Sequence, residues 1–244
     1  MKKIVFATGN PHKLQELKQI AGDCGIEFVL PPEGFNPIEN GKTFEENSYI
    51  KAFEAARLSG MTALADDSGL CVDALGGAPG IYSARYAETQ QKRIDKLLKE
   101  LKNIEISCHC EEGGSLTSQS HNNEITTHSS NARNDKNFRK AKFVCAMTLV
   151  SPDGEIIFQT TGECHGIIAE KQAGTNGFGY DPIFVPTPSP EFVNSPNGSL
   201  TNSTLSHKGR GLQRTIAEMS DEEKNAISHR GNALRKVLEF LKNN

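Results

Sequence analysis

The sequence predicts an α/β protein built on a mixed central sheet with helices packed on its faces. Two observations lead to this prediction. Short apolar runs alternate with segments of helical periodicity, and one pair of strand-like runs is joined by the turn sequence Ser-Pro-Asp-Gly at 151–154. Alternating strands and helices are typical of parallel pairing, whereas a tight turn joins antiparallel strands. A sheet that contains both kinds of pairing accounts for the two patterns together.

Apolar runs and helical spacing place the individual elements. Runs bounded by turn residues predict strands at 4–7, 26–30, 62–66, 143–150, 155–161 and 183–185. Helical spacing predicts helices from Pro11, from Thr43, around Ile94 to Leu101, and from Ser220 to the end of the chain. Thr43 and Ser220 are each followed three residues later by Glu, which is the pattern of a capping box.

The chain of 244 residues is predicted to form a single domain, 1–244, with two polar insertions. Residues 105–137 are dominated by Ser, Asn, Thr, His, Glu and Gly, and residues 186–209 are rich in Pro, Asn and Ser. Neither stretch has enough apolar side chains to offset the entropy lost on ordering. We therefore expect both to be flexible excursions on the surface.

Composition excludes several classes of function. Lys and Arg number 27 against 30 Asp and Glu, a formal net charge of −3, so no global attraction to nucleic acid is expected. The chain has no apolar run of about 20 residues, the length that would cross a membrane. Its first residues look like a β-strand rather than a signal peptide. The expectation is a soluble, intracellular protein, located in the cytoplasm.

The cysteines agree with a reducing compartment, because most of them stand singly in apolar segments. A zinc site is an alternative for Cys108, His109 and Cys110 with His121 and His128 downstream. Structural zinc sites, however, usually pair ligands that are two to four residues apart. The spacing therefore argues against a metal role for this group.

The turn between the first strand and the first helix has the features of an anion site. It consists of Thr8, Gly9, Asn10, Pro11, His12 and Lys13. Asn10 is a good N-cap, and the free N–H groups at a helix N-terminus attract anions. Lys13 is unfavourable against the helix dipole unless a phosphate neutralises both. An ordinary strand-to-helix turn with one exposed lysine is the alternative.

Two carboxylates stand together at a strand's end, in Asp66-Asp67-Ser68. Adjacent residues of a strand point to opposite faces, so we expect only one of them to address a given cleft. Carboxylates in such positions often hold Mg²⁺ together with substrate phosphates. A turn capped by Asp is the alternative.

Two later segments suit the recognition of a nucleoside. Phe178 has a glycine on either side, which leaves its ring approachable for stacking on a flat base. Lys224 and the run Ser228-His229-Arg230 supply donors for carbonyl or phosphate oxygens. Taken singly, the Phe is equally explained as core and the charged run as a solvated face.

Together these motifs resemble the inosine triphosphate pyrophosphatase family. The matching stretches, in order, are Thr8-Gly9-Asn10 with Lys13, Asp66 to Leu70, Gly76 to Tyr86, Gly177 to Pro182, and Lys224 with Ser228-His229-Arg230. The resemblance covers nearly all of the chain outside the two polar insertions. It implies an elongated α/β protein with an active-site cleft between two lobes, and a homodimer. It also implies Mg²⁺-dependent hydrolysis of dITP, ITP or XTP to the monophosphate and pyrophosphate, which removes deaminated purines from the nucleotide pool.

The resemblance also assigns roles to residues. Asp67 would be the general base and a metal ligand, with Glu39 as the additional acidic ligand, and Ser68 would contact the substrate. The phosphates would be held by Thr8, Gly9, Asn10, His12 and Lys13. The nucleoside pocket would be formed by Phe178, Gly179, Tyr180, Asp181, Lys224, His229 and Arg230.

Selectivity follows from the donors at the base end. Arg230 and His229 could donate to the 6-oxo group of hypoxanthine or xanthine, whereas adenine's 6-amino group would leave buried donors unpaired. Guanine shares the 6-oxo group, so its exclusion has to arise around its 2-amino group. Two other functions are weighed: a related pyrophosphatase for pyrimidine or modified nucleotides, and a catalytically silent nucleotide-binding module. The presence of Asp67 and Lys13 argues against the silent module.

Overall fold

The computed structural model describes residues 2–112, 138–187 and 214–244, with only the backbone described for 11–12 and 107–112. The six strands are β1 Lys2–Phe6, β2 Ile26–Val29, β3 Ala63–Val72, β4 Lys140–Val150, β5 Ile156–Ile168 and β6 Phe184–Pro186. The five helices described are α1 Pro11–Ala21, α2 Phe44–Ser59, α3 Gln90–Glu112, α4 Asp221–Ile227 and α5 His229–Asn243. Short 3₁₀ turns lie at Asp73–Leu75, Gly80–Arg85, Asp181–Ile183 and Ile216–Glu218.

The strands form one mixed sheet in the order β2-β1-β3-β4-β5-β6. β1 runs parallel to both β2 and β3, and the remaining neighbours are antiparallel. β4 and β5 are joined by the Ser-Pro-Asp-Gly turn, where the N–H of Gly154 donates to the carbonyl of Ser151 at 3.0 Å. The prediction of a mixed α/β sheet flanked by helices is therefore confirmed.

Both faces of the sheet carry apolar cores. One cluster lies under α2 and is built largely of alanines, including Ala52, Ala55 and Ala65. A second cluster, around Phe6 and Leu17, lies on the opposite face under α1 and α5. A third joins α3 to the far ends of β3, β4 and β5. β3 passes through all three clusters, so residues near its middle lie where helices from both faces meet.

Local sequence sets where the helices begin. Thr43 Oγ1 accepts from the N–H of Glu46 at 3.1 Å, and Ser220 Oγ accepts from that of Glu223 at 3.2 Å. The Ser220 box is reciprocal as predicted, since Glu223 accepts from the N–H of Ser220. At α2 the return bond differs, because the Glu46 carboxylate accepts from the N–H of Lys42 instead of Thr43.

The first residues of both predicted insertions belong to the folded part of the structure. Residues 105–112, assigned to the first insertion, continue α3, and Glu105 forms an ion pair with Arg139 at 2.8 Å. This pair ties the helix to the residue before β4. In the second insertion, Pro186 ends β6 and the N–H of Thr187 donates to the carbonyl of His165 at 2.9 Å. The rest of both insertions, and the candidate zinc ligands His121 and His128, lie outside the described residues.

Candidate active site

The turn between β1 and α1 is organised by Thr8. Its hydroxyl, which is buried, accepts a hydrogen bond from the N–H of Asn10 at 3.1 Å, and the N–H of Leu14 donates to the carbonyl of Asn10 at 3.4 Å. Asn10 thus occupies the N-cap position of α1. A Cβ built on Gly9 would meet no atom within 4 Å, so the turn has open space beside it. His12 belongs to α1, and its side chain lies outside the described residues.

Asp66 lies between two cations. Its carboxylate accepts from Lys13 Nζ at 2.9 and 3.1 Å, and from Nε and Nη2 of Arg230 at 3.2 Å each. The Ser68 hydroxyl adds a bond of 3.1 Å. Burial by itself would raise the pKa of Asp66, but the charges of Lys13, Arg230 and Lys51 outweigh it, so the pKa lies far below the ordinary value. Asp66 is therefore a permanently ionised bridge between two predicted substrate-binding cations.

Asp67 has different surroundings. Lys51 Nζ, from α2, donates to Asp67 Oδ1 at 2.8 Å and lies 3.3 Å from Glu39 Oε1. Burial raises the pKa of Asp67, and Lys51 offsets only part of that rise. For Lys51, burial acts to lower the pKa, but Asp67, Asp66 and Glu39 together raise it above its usual value. The two predicted metal ligands, Asp67 and Glu39, thus share one buried ammonium group.

Alternation along β3 explains the two environments. Ala65 and Asp67 face α2, whereas Leu64 and Asp66 face α1 and α5. The expectation that the two carboxylates point to opposite faces agrees with this arrangement. Asp66 pairs with Lys13 and Arg230 on one face, while Asp67 pairs with Lys51, which also contacts Glu39, on the other.

The Phe178 loop, residues 177–181, is shaped by two glycines and by the carboxylate of Asp181. Gly177 and Gly179 have φ values of +77° and +66°, and a Cβ on Gly177 would lie 2.2 Å from Asp181 Oδ2. That oxygen accepts from the N–H of Phe178 at 2.9 Å and from Lys224 Nζ at 3.0 Å. Burial raises the pKa of Asp181, with Lys224 and the Phe178 N–H opposing the rise. The loop therefore turns tightly around the Asp181 carboxylate.

The Phe178 ring borders a pocket of about 330 Å³ that is also lined by Asn10, Glu16 and Lys224. The ring is 41% exposed, in contrast to the buried aromatic side chains of the core. Lys224 Nζ lies 4.5 Å from the ring centroid, and Arg230 Cζ lies 5.9 Å from it. The geometry suits a flat base placed beside the ring and the two cations.

Two predicted members of the nucleoside pocket have side chains that enter the core. Tyr180 is buried, and its hydroxyl donates to the carbonyl of Ser83 at 3.1 Å. The His229 ring stacks on Phe143, with centroids 4.9 Å apart, and its Nδ1 has no hydrogen-bond partner among the described residues. Burial, and then the charges of Arg230 and Lys224, lower the pKa of His229 well below its usual value. His229 is therefore a neutral ring at neutral pH.

Ion pairs connect the two ends of the site. Arg230 Nη1 donates to Glu16 Oε2 at 2.6 Å, and Lys224 Nζ lies 3.9 Å from Glu16 Oε1. The chain of contacts runs through Lys13, Asp66, Arg230, Glu16, Lys224 and Asp181 to the Phe178 loop. The turn after β1, the middle of β3, the Phe178 loop and the start of α5 therefore converge on one region.

Sequence reasoning missed Lys51 and Glu16. Lys51 follows Ser48 by three residues and precedes Ala55 by four, so it lies on the buried face of α2. A lysine on an apolar helix face requires a buried anion, and that signal was available in the sequence. Glu16 lies one turn after Lys13 in α1. Its carboxylate pairs with Arg230 across the whole length of the chain, and no local pattern indicates that contact.

The residues fit a magnesium ion. Glu39 and Asp67 supply hard oxygen ligands, and Mg²⁺ is usually bound by one or two carboxylates together with substrate phosphates. Within the described ranges, no group of three or more His, Cys, Asp or Glu side chains could hold a metal by itself. A site completed by the substrate's phosphates agrees with both observations.

Comparisons with known proteins identify the family of this chain. The Ham1 family model matches residues 4–112 and 107–240. A dITP/XTP pyrophosphatase of Prochlorococcus marinus (strain NATL1A) is 38% identical over 239 residues, which cover 98% of this chain and 93% of that protein. Another, from Photorhabdus laumondii, is 39% identical over 251 aligned residues, with 100% of both chains covered. The structure of a HAM1 protein from Coxiella burnetii aligns with a TM-score of 0.71 and 34% identity, covering 100% of each chain. The resemblance stated from the motifs is thereby confirmed, and the chain belongs to the Ham1 family.

Proposed function

We propose that this protein hydrolyses non-standard purine nucleoside triphosphates (dITP, ITP and XTP) to the nucleoside monophosphate and pyrophosphate. One observation carries the proposal. A chain of ion pairs, from Lys13 to the Phe178 loop, joins the turn after β1, which has the features of an anion site, to an exposed aromatic ring. The full-length relatives named dITP/XTP pyrophosphatase support the same substrate class.

The phosphate end combines cations with a candidate base. Lys13, which Asp66 holds beside the turn after β1, lies where negative charge on the departing oxygens can be stabilised. Asp67 orients a water molecule for in-line attack on the α-phosphorus. Burial raises the pKa of Asp67 and makes it a better proton acceptor than an ordinary Asp, while Lys51 favours its ionised form.

Charge balance supports a requirement for Mg²⁺. The site contains four cationic side chains, Lys13, Lys51, Lys224 and Arg230, and five carboxylates, Glu16, Glu39, Asp66, Asp67 and Asp181. Four positive and five negative groups leave −1, so the protein alone does not neutralise a triphosphate. Held by Asp67 and Glu39, Mg²⁺ would supply the missing positive charge and lower the pKa of the attacking water.

The base end selects for a 6-oxo group. Three of the five N–H groups of Arg230 are bound to Asp66 and Glu16, which fixes the orientation of the guanidinium. Lys224 is held at the Phe178 ring by Asp181. These fixed donors match an oxo group and mismatch the amino group of adenine.

Two further properties are proposed on the resemblance: the protein acts as a homodimer, and it works in the cytoplasm. No helix in the described ranges is long and apolar enough to cross a membrane. Sedimentation of the purified protein at micromolar concentration tests the dimer directly, because a mass equal to that of one chain would contradict it.

A panel assay tests the proposed activity. Pyrophosphate release is measured with and without Mg²⁺ for dITP, XTP, dATP, dGTP and dTTP. The proposal expects Mg²⁺-dependent release that is strongest with dITP and XTP. Preference for dTTP would favour the pyrimidine pyrophosphatase instead, and tight dITP binding without product would favour the silent nucleotide-binding module.

A further inference from the structure

A hydrogen bond attaches the backbone of the Phe178 loop to the first residue of α3. The N–H of Gly179 donates to Gln90 Oε1 at 3.1 Å. Other polar contacts of the loop come from Asp181, which binds the N–H of Phe178, and from the Tyr180 hydroxyl, which binds the carbonyl of Ser83. Gln90 therefore connects the loop to a helix that contributes no residue predicted for the site.

Gln90 extends from a rigid support. It is the first residue of α3, and Ile94, Leu97 and Leu101 of that helix are fully buried in the cluster that also contains Tyr180. The first turn is also fixed to the preceding segment, because Arg93 Nη1 donates to the carbonyl of Ala84 at 2.8 Å. A helix fixed in this way holds its side-chain acceptor at a constant place relative to the loop.

The contact adds a restraint at Gly179, between Phe178, whose N–H is bound by Asp181, and the buried Tyr180. Gly177 and Gly179 flank Phe178, and glycines impose the fewest limits on backbone rotation. A Cβ on Gly179 would meet no atom within 4 Å, so there is open space on that side of the residue. The hydrogen bond that the Gly179 N–H donates to Gln90 therefore holds the backbone immediately after the ring.

We propose that Gln90 is a positioning residue for nucleotide binding: by accepting from the Gly179 N–H, it holds the Phe178 ring in the orientation that stacks on the base. The inference rests on the proposed function, because it needs a base beside Phe178. It predicts an effect on KM rather than on kcat, since the contact does not involve Asp67 or its partner Lys51 and acts before chemistry begins.

Substitutions at Gln90 distinguish loss of its hydrogen-bond acceptor from a change in side-chain volume. Gln90→Met keeps the side chain's length and removes the acceptor, whereas Gln90→Glu keeps an acceptor oxygen. One lost hydrogen bond corresponds to about a 2- to 10-fold rise in the KM for dITP, with kcat within about twofold of wild type. Gln90→Glu should restore a KM close to that of wild type. Gln91→Met is the matched control, because Gln91 contacts only Asp95 of its own helix, at 2.8 Å, among the described residues.

Amide hydrogen exchange gives a readout that needs no catalysis. Gly179 should exchange faster in Gln90→Met than in the wild-type protein or in Gln91→Met, while the thermal midpoint stays unchanged. An unchanged KM and an unchanged exchange rate at Gly179 would overturn the inference, as would a KM effect that Gln90→Glu fails to restore. Failure of the proposed function would look different: the wild-type protein would release no pyrophosphate, and the exchange experiment alone would then decide the role of Gln90.

Discussion

Asp66 and Asp67 are adjacent and chemically identical, yet β3 delivers them to opposite faces of the sheet. Asp66 meets Lys13 and Arg230 at its carboxylate, and its pKa falls far below the ordinary value. Asp67 meets only Lys51 as a hydrogen-bond donor among the described residues, and burial raises its pKa. Asp66 is paired with two cations, whereas Asp67 is paired with one and keeps a carboxylate that can accept a proton.

The two carboxylates have different roles: Asp66 holds its partners in place, and Asp67 is available for the reaction. A carboxylate fully paired with two cations has little basicity and instead fixes the geometry of its partners. A partly paired carboxylate in a buried place keeps the basicity that a reaction can use. The alternation of a single strand therefore divides two roles between two neighbouring residues.

The largest expected effect is on turnover. Asp67→Asn should lower kcat for dITP by about 10²- to 10⁴-fold, because the amide cannot accept the proton of the attacking water. The binding of dITP should persist, because the ion pairs from Lys13 to the Phe178 loop are untouched. Steady-state kinetics and calorimetry measure the two quantities. Asp153→Asn, in the exposed hairpin turn, is the matched control, and a rate close to wild type for Asp67→Asn would refute its role as the base.

The next effect is on stability. Asp66→Asn should cost about 3–5 kcal/mol of unfolding free energy, because it leaves Lys13 and the buried Arg230 without their shared anion. Urea unfolding at neutral pH measures the loss. Glu88→Gln, which breaks an exposed pair with Lys92, should cause no measurable change. Equal effects of the two substitutions would contradict the difference drawn between buried and surface pairs.

A third prediction concerns pH. Lys51 lowers the pKa of Asp67 against the effect of burial, so Lys51→Met should let that pKa rise further. The acid limb of kcat/KM should then move to higher pH by about one unit or more. A pH–rate profile at saturating Mg²⁺ measures the shift. Lys92→Met serves as the control, and an acid limb that stays in place or moves to lower pH would be inconsistent with the assigned pairing.

The smallest effect is the pH dependence of stability that His229 causes. His229 belongs to α5, on the face of the sheet to which Asp66 points. Its folded-state pKa lies below the ordinary 6.5. The unfolded chain therefore binds a proton at pH values where the native ring stays neutral. Stability is fully present above pH 6.5 and falls below it, by at most about 1.4 kcal/mol per pH unit. His229→Phe keeps a ring against Phe143 and should flatten this slope in urea unfolding. An unaltered slope would show that His229 is not the group responsible.

Much of the fold followed from local patterns. Apolar runs and the Ser-Pro-Asp-Gly turn indicated the strands and the hairpin, because burial and turn geometry are encoded within a few residues. The length of α3 was underestimated, since the polar residues from 105 onward contain no apolar stripe. The pair that Glu105 makes with Arg139 lies across a gap in sequence that no pattern bridges.

The site was harder to predict than the fold. Motif residues such as Lys13 and Phe178 were identified, but the contacts among them were not. Asp66 received no role from the resemblance, which assigned the general base and the metal ligand to Asp67. The bonds of Asp66 to α1 and α5 join segments far apart in the sequence. Such contacts depend on how the helices pack, and they appear only once the sheet is assembled.

The most direct test of the division between the two carboxylates is to titrate them in the same molecule. Carbon-13 NMR of the aspartate side-chain carbons, assigned with Asp66→Asn and Asp67→Asn, follows each group as pH is lowered. Asp67 should titrate above the ordinary value of 3.8, and Asp66 should remain ionised for as long as the protein stays folded. Coincident titrations, or protonation of Asp66 before Asp67, would contradict the assignment of support to one and chemistry to the other.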